Sequence, residues 1–85
     1  MPLLIPLLKA HAMQQRPLHP LLRKTFGQKL TALRNARFLT QQQVGDRIHV
    51  SRSLISKWEI DEQSPNVRYV QALAKLFDVS LSYWD

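Results

Sequence analysis

An all-α fold is what this sequence predicts: a compact bundle of four to five short helices behind an irregular N-terminal arm. Three observations predict it. No segment alternates apolar and polar residues with period two for long enough to make a strand. From Thr25 onward, apolar residues recur at helical spacing in successive stretches, each introduced by a residue able to cap a helix. Four of the five prolines (Pro2, Pro6, Pro17, Pro20) lie within the first 24 residues, a density that breaks helices and removes the donors a sheet needs.

The chain divides accordingly into an irregular arm, residues 1–24, and a helical domain, residues 25–85. The arm, "MPLLIPLLKAHAMQQRPLHPLLRK", is rich in Leu and Ile, whereas disordered tails are usually polar. Its apolar run is too short, too proline-broken and too poor in basic lead-in for a secretory signal. Met13 is a second possible start. Arg16, Arg23 and Lys24 are basic and no acid precedes Asp46, so the arm suits either a nucleic-acid groove or the surface of a protein partner.

In the domain, Thr25 and Gln28 form the pattern of a capping box, and Phe26, Leu30 and Leu33 then share one helical face to about Arg37. Thr40 and Gln43 repeat the signature ahead of a second helix, Gln41 to Ile48, with Val44 and Ile48 on its apolar stripe. Ser51 caps a third, from Arg52 to about Trp58, whose inward face is Ile55 and Trp58. "DEQSPN" is a loop, Asn66 caps a fourth helix through Val67, Val70, Leu73, Ala74 and Phe77, and Ser80 opens a last turn, "LSYWD".

Length and composition narrow the function classes. Eighty-five residues fit a single small core. With no cysteine there is neither a disulfide framework nor a thiolate metal site, which fits a reducing, cytoplasmic setting. His11, His19 and His49 are scattered over arm and turn, so no metal site is expected. Carboxylates are few, no glycine-rich loop occurs and no nucleophile stands at a recognisable spacing from a base, so neither catalytic residues nor a cofactor is expected. No run approaches the ~18 apolar residues of a membrane span. The net charge of +6 is uneven: residues 26–57 carry six Lys and Arg against one acid, residues 59–85 two against five acids. That asymmetry points to an anionic partner, nucleic acid first, at the basic half.

Within that half, Val44, Gly45, Ile48, Val50, Ile55 and Trp58 are the small or apolar positions that two steeply crossed helices must bury. Gly45 costs about 1 kcal/mol relative to alanine inside a helix, a cost that makes sense if the third helix crosses directly over it. This is the helix-turn-helix arrangement, whose second helix enters the DNA major groove. Such a helix needs short polar or basic side chains on its exposed N-terminal face, because base edges offer donors and acceptors while phosphates repel acids. "SRSLISK" has that composition. Arg52 and Lys57 are types that pair with guanine, and Ser53 and Ser56 bond either edge type. Leu54 suits a thymine methyl or a sugar, or is a lone exposed leucine. Taken singly, each cation reads as part of a solvated helix face. Trp58, one turn after Ile55, reads as core rather than as a base-stacking platform.

Residues 26–84 resemble the lambda-repressor-like (Xre-type) helix-turn-helix domains of phage repressors and bacterial regulators. The segments "LR", "LTQ", "VSRSLISKWE" and "LAKLFDVS" carry the resemblance. It implies that Arg34 pairs with Glu59, that Gln41 bonds a backbone phosphate, and that Arg52, Ser53, Ser56 and Lys57 face base edges; Ser51 and Leu54, on the same helix start, complete the candidate DNA contacts. His49 and Asp61 stand where the family often has glycine in a left-handed backbone, a departure expected to lower stability without excluding the fold.

The expected function is sequence-specific regulation of transcription, as a repressor bound to double-stranded DNA at a two-fold operator. One recognition helix contacts only a few base pairs, so a homodimer on two half-sites about one helical turn apart is expected. Leu81, Tyr83 and Trp84 gather apolar area at the chain end and are the candidate dimer contact. The alternative is an antitoxin that binds a partner toxin and autoregulates its operon, a use to which an apolar arm and an aromatic C-terminus are both suited.

Overall fold

The computed structural model describes residues 23–85, so the expected arm lies, up to residue 22, outside the described residues. The described chain runs through helix α1 (Phe26–Ala36), α2 (Gln41–Ile48), α3 (Arg52–Glu59), α4 (Val67–Phe77) and a final 3-10 turn (Leu81–Trp84), with no strand among the described residues.

Each helix begins where a short polar side chain satisfies backbone donors that have no partner within the helix. Thr25 and Gln28 exchange bonds of 3.1 and 2.9 Å, closing a full capping box on α1. Thr40 and Gln43 do the same for α2 at 3.0 and 2.8 Å. Ser51 accepts from the Leu54 N–H of α3, and Asn66 from the Tyr69 N–H of α4, each at 3.1 Å. Ser80 makes no such bond to the last turn; its hydroxyl is 2.9 Å from that of Ser82.

The helix ends share one device. After α1, α2, α3 and α4 a residue adopts positive φ: Phe38 at 55°, His49 at 62°, Asp61 at 59° and Asp78 at 56°. The next N–H turns back to a carbonyl five residues earlier, Leu39 to Arg34 (3.1 Å), Val50 to Gly45 (2.9 Å), Glu62 to Lys57 (2.9 Å) and Val79 to Ala74 (3.0 Å). This closure usually employs glycine, because a Cβ in the left-handed region crowds the backbone. Here no glycine has positive φ, so each closure carries strain on the order of 1 kcal/mol. His49 and Asp61 were expected in this conformation; Phe38 and Asp78 were not.

The core comprises Leu30 of α1, Val44 of α2, Ile55 and Trp58 of α3, Leu73, Ala74 and Phe77 of α4, and Trp84 of the last turn. A fully buried Val, Leu, Ile or Phe contributes about 1.5–3 kcal/mol from leaving water. Both glycines mark close approaches of backbone. A Cβ on Gly27 would collide with the carbonyl oxygens of Trp58 and Glu59, so α1 rests directly on the last turn of α3. A Cβ on Gly45 would press on the Val50 carbonyl. It is therefore the turn entering α3 that requires the small residue, rather than the body of α3 crossing over it.

Three side chains tie distant segments together. Asp61 accepts from the Gly27 N–H at 2.9 Å and from the Thr25 hydroxyl, so a residue strained at the end of α3 caps the start of α1. Arg37 donates to the Phe77 carbonyl at 2.7 Å, at the C-terminus of α4, where a cation is favoured. Lys29 donates to the carbonyls of Tyr83 (2.9 Å) and Asp85 (2.6 Å).

Candidate nucleic-acid interface

The pair α2–α3 follows from the local sequence already described: a capping box starts α2, His49 ends it, and Ser51 restarts the helix after a turn of three residues. The short turn leaves α3 with its apolar face, Ile55 and Trp58, against the core. Its opposite face begins with Arg52 and Ser53, both exposed, and continues with the half-buried Ser56 and Lys57. Those four side chains line an open groove together with Gln41 from the first turn of α2. Ile60 and Glu62, just past the end of α3, complete its wall. Five of the residues singled out in the sequence thus come together on one surface.

The other two sit differently. Ser51 is exposed, but its hydroxyl is engaged in capping α3. Leu54 is half-buried and packs against the core cluster, so it is not a freely projecting side chain. Ile60 and Glu62 were not anticipated, although the "WEIDE" run places them within one turn of α3. Glu62 is the single acid on the groove, which is otherwise neutral or basic.

Beneath the groove lies a polar network at the junction of three helices. Arg34 of α1 meets Glu59 of α3 through two parallel bonds, Nε to Oε2 at 2.6 Å and Nη2 to Oε1 at 3.0 Å. The side chains are 15% and 5% exposed, so this is a bidentate pair largely withdrawn from water. The Glu59 carboxylate raises the guanidinium above its ordinary pKa, through the hydrogen bond first and charge attraction second, against the opposing effect of burial. Arg34 Nη1 donates to the Leu39 carbonyl at 2.9 Å, and Gln41 Nε2 donates to Glu59 Oε1 at 3.0 Å. Every member therefore has partners, as buried polar groups require. The network joins α1, the α1–α2 loop, α2 and α3, and it holds Gln41 at the groove edge.

In the last turn of the chain, Trp84 is 8% exposed and packs on Phe26 with ring centroids 4.8 Å apart. It is a core residue. Leu81 and Tyr83, 50% and 37% exposed, are the large apolar residues that this segment presents to solvent. The Trp84 indole N–H is buried with no hydrogen-bond partner among the described residues. No group of three or more His, Cys, Asp or Glu among the described residues is placed to hold a metal ion, and no described helix is long and apolar enough to cross a membrane.

Comparison with known proteins agrees with this geometry. A family model described as helix-turn-helix matches residues 30–84. The HTH-type transcriptional activator BcrR of Enterococcus faecalis is 39% identical over 56 residues, covering 66% of this chain and 28% of the relative. The immunity repressor protein of Bacillus phage phi105 is 33% identical over 58 residues, covering 68% of this chain and 40% of the relative. This chain thus spans less than half the length of those two relatives. Among solved structures, the P22 c2 repressor protein in complex with a synthetic operator superposes with a TM-score of 0.69 at 31% identity, covering 73% of this chain and 94% of that one.

Proposed function

The chain belongs to the lambda-repressor-like (Xre-type) helix-turn-helix family, and from that premise we propose that it regulates transcription by sequence-specific binding to double-stranded DNA. The observation that carries the reading is the groove along α3. Arg52, Ser53, Ser56 and Lys57 present the donors and acceptors that read base edges, while Gln41 at the first turn of α2 is placed to take a phosphate on the rim. Paired with Glu59, it meets the DNA already oriented, so little side-chain freedom is lost on binding.

Repression is the proposed outcome, because a dimer seated on an operator excludes other proteins from that DNA by occupancy alone. The relatives' names include both an activator and a repressor, and the P22 relative is described on an operator. We assign the dimer contact to the end of the domain bearing Leu81 and Tyr83. Its exposed apolar area supports this. A cytoplasmic location accords with this role. No observation among the described residues favours the antitoxin alternative.

The test is selection from a random double-stranded DNA library with the purified chain. The expected result is a two-fold symmetric motif with half-site centres about one helical turn apart. Recovery of no enriched motif would refute sequence-specific reading by α3.

A further inference from the structure

Phe38 is the residue whose placement the fold least explains. Its side chain is 93% exposed and its backbone is left-handed, a combination unfavourable for an aromatic residue on both counts. The equivalent positions at the other three helix ends hold His49, Asp61 and Asp78, all polar. Phe38 therefore adds strain and apolar surface without adding to the core. Its surroundings give that surface an occupant. With Leu39, Thr40 and Gln42 it lines a second open groove that also includes Gln41 and Arg52, and those last two belong equally to the groove along α3. The two depressions thus adjoin, and Phe38 stands beyond the first turn of α2 from the base-reading face. No acid lines this second groove. It holds two arginines, of which Arg34 is neutralised by Glu59 and Arg52 is left to attract an anion.

We propose that Phe38 packs its ring against a deoxyribose of the DNA strand bordering the site read by α3. A phenyl ring has no donor for a phosphate, and its position off α3 separates it from the base-reading residues. What a DNA backbone offers such a ring is the apolar face of its sugars. The contact is sequence-independent: it holds the strand across the start of α2 and reads no base. The proposal rests on the reading of α3 as a DNA-binding helix, and it assigns the exposed aromatic to that strand rather than to a protein partner.

The experiment compares wild type with Phe38→Ala, Phe38→Gly and Phe38→Lys, measuring affinity for the selected operator and for random duplex over a salt series. Phe38→Gly removes the ring while relieving the left-handed strain, so a loss shared by the Ala and Gly variants is not a folding defect. The expected result is a loss of about ten-fold per half-site on operator and random DNA alike, as for a ring partly leaving water. The salt slope should stay unchanged in both. Phe38→Lys should steepen it by about 0.9 per protomer, because a cation there meets the adjoining phosphate. Unchanged affinity in the Ala and Gly variants would overturn the proposal, and so would a loss confined to the operator, which means a base contact. Either result leaves wild-type operator recognition, and hence the reading of α3, intact. If wild type binds random and selected DNA equally, sequence reading by α3 fails, while the variants on random DNA still decide Phe38.

Discussion

Arg34→Met is the perturbation that most directly tests how the site is held. In the native fold Glu59, with a side chain 5% exposed, accepts two bonds from Arg34 and one from Gln41. Removing the guanidinium strands the carboxylate with a single neutral donor and also releases the Leu39 carbonyl. Breaking a buried ion pair by deleting one partner costs about 3–5 kcal/mol. Arg34 is 15% exposed and Gln41 remains, so the expected loss is about 2–4 kcal/mol. For a domain of this size that lowers Tm by roughly 10–25 °C. Thermal and urea melts followed by circular dichroism measure it. Arg34→Met with Glu59→Leu removes both charges, and the double variant should lose about 1.5–3 kcal/mol less than the sum of the singles. Glu59→Gln should in addition weaken binding to all DNA sequences, because Gln41 loses its charged anchor. Single losses below about 1 kcal/mol that add in the double variant would mean two independent charges and would refute the network as the brace of the interface.

Arg52→Ala or Lys57→Ala should lose about 1–3 kcal/mol on the operator and relax preference at one position per half-site, whereas Gln41→Ala should weaken operator and random DNA alike. Equal losses on both DNAs for Arg52→Ala would contradict base reading. Glu62→Gln, which removes the lone acid of the groove, should raise affinity for any duplex, most at low salt, and a salt-independent or absent gain would place Glu62 away from the phosphates. Asp61→Gly relieves a left-handed residue but deletes two bonds at the start of α1, so a net destabilisation of about 1 kcal/mol is expected; a higher Tm would show that strain dominates. Sedimentation of Tyr83→Ala and of Leu81→Ser at micromolar concentration should reveal more monomer than wild type, and an unchanged distribution would move the dimer contact elsewhere.

By itself the sequence determined the all-α class, the number and order of the helices and their boundaries to within about a residue. It did so because caps and apolar stripes are interactions between residues three or four apart. Thr25 with Gln28, Thr40 with Gln43, Ser51 and Asn66 each act within one turn, so their spacing is readable before any tertiary contact forms. The composition of α3's outward face was legible for the same reason: Arg52, Ser53, Ser56 and Lys57 share a face by helical period alone. Pairing Arg34 with Glu59 needed the family pattern as well, since they stand 25 positions apart in the chain and spacing is silent at that range.

Tertiary structure decided the rest. Only the approach of α1 to the end of α3 makes Gly27 obligatory and turns Asp61 into a cap for a helix 34 residues away. The return of the chain end onto Phe26 buries Trp84, which in sequence is indistinguishable from its exposed neighbours Leu81 and Tyr83. Leu54 likewise leaves the list of projecting side chains because the core reaches it. Phe38 carries no signal in its residue type, since an aromatic favours neither exposure nor positive φ. The closure of α1 by the Leu39 N–H on the Arg34 carbonyl imposes both. In each case a local preference is overridden by where two chain-distant segments meet, and that depends on helix crossing and loop closure, which no short window of residues encodes.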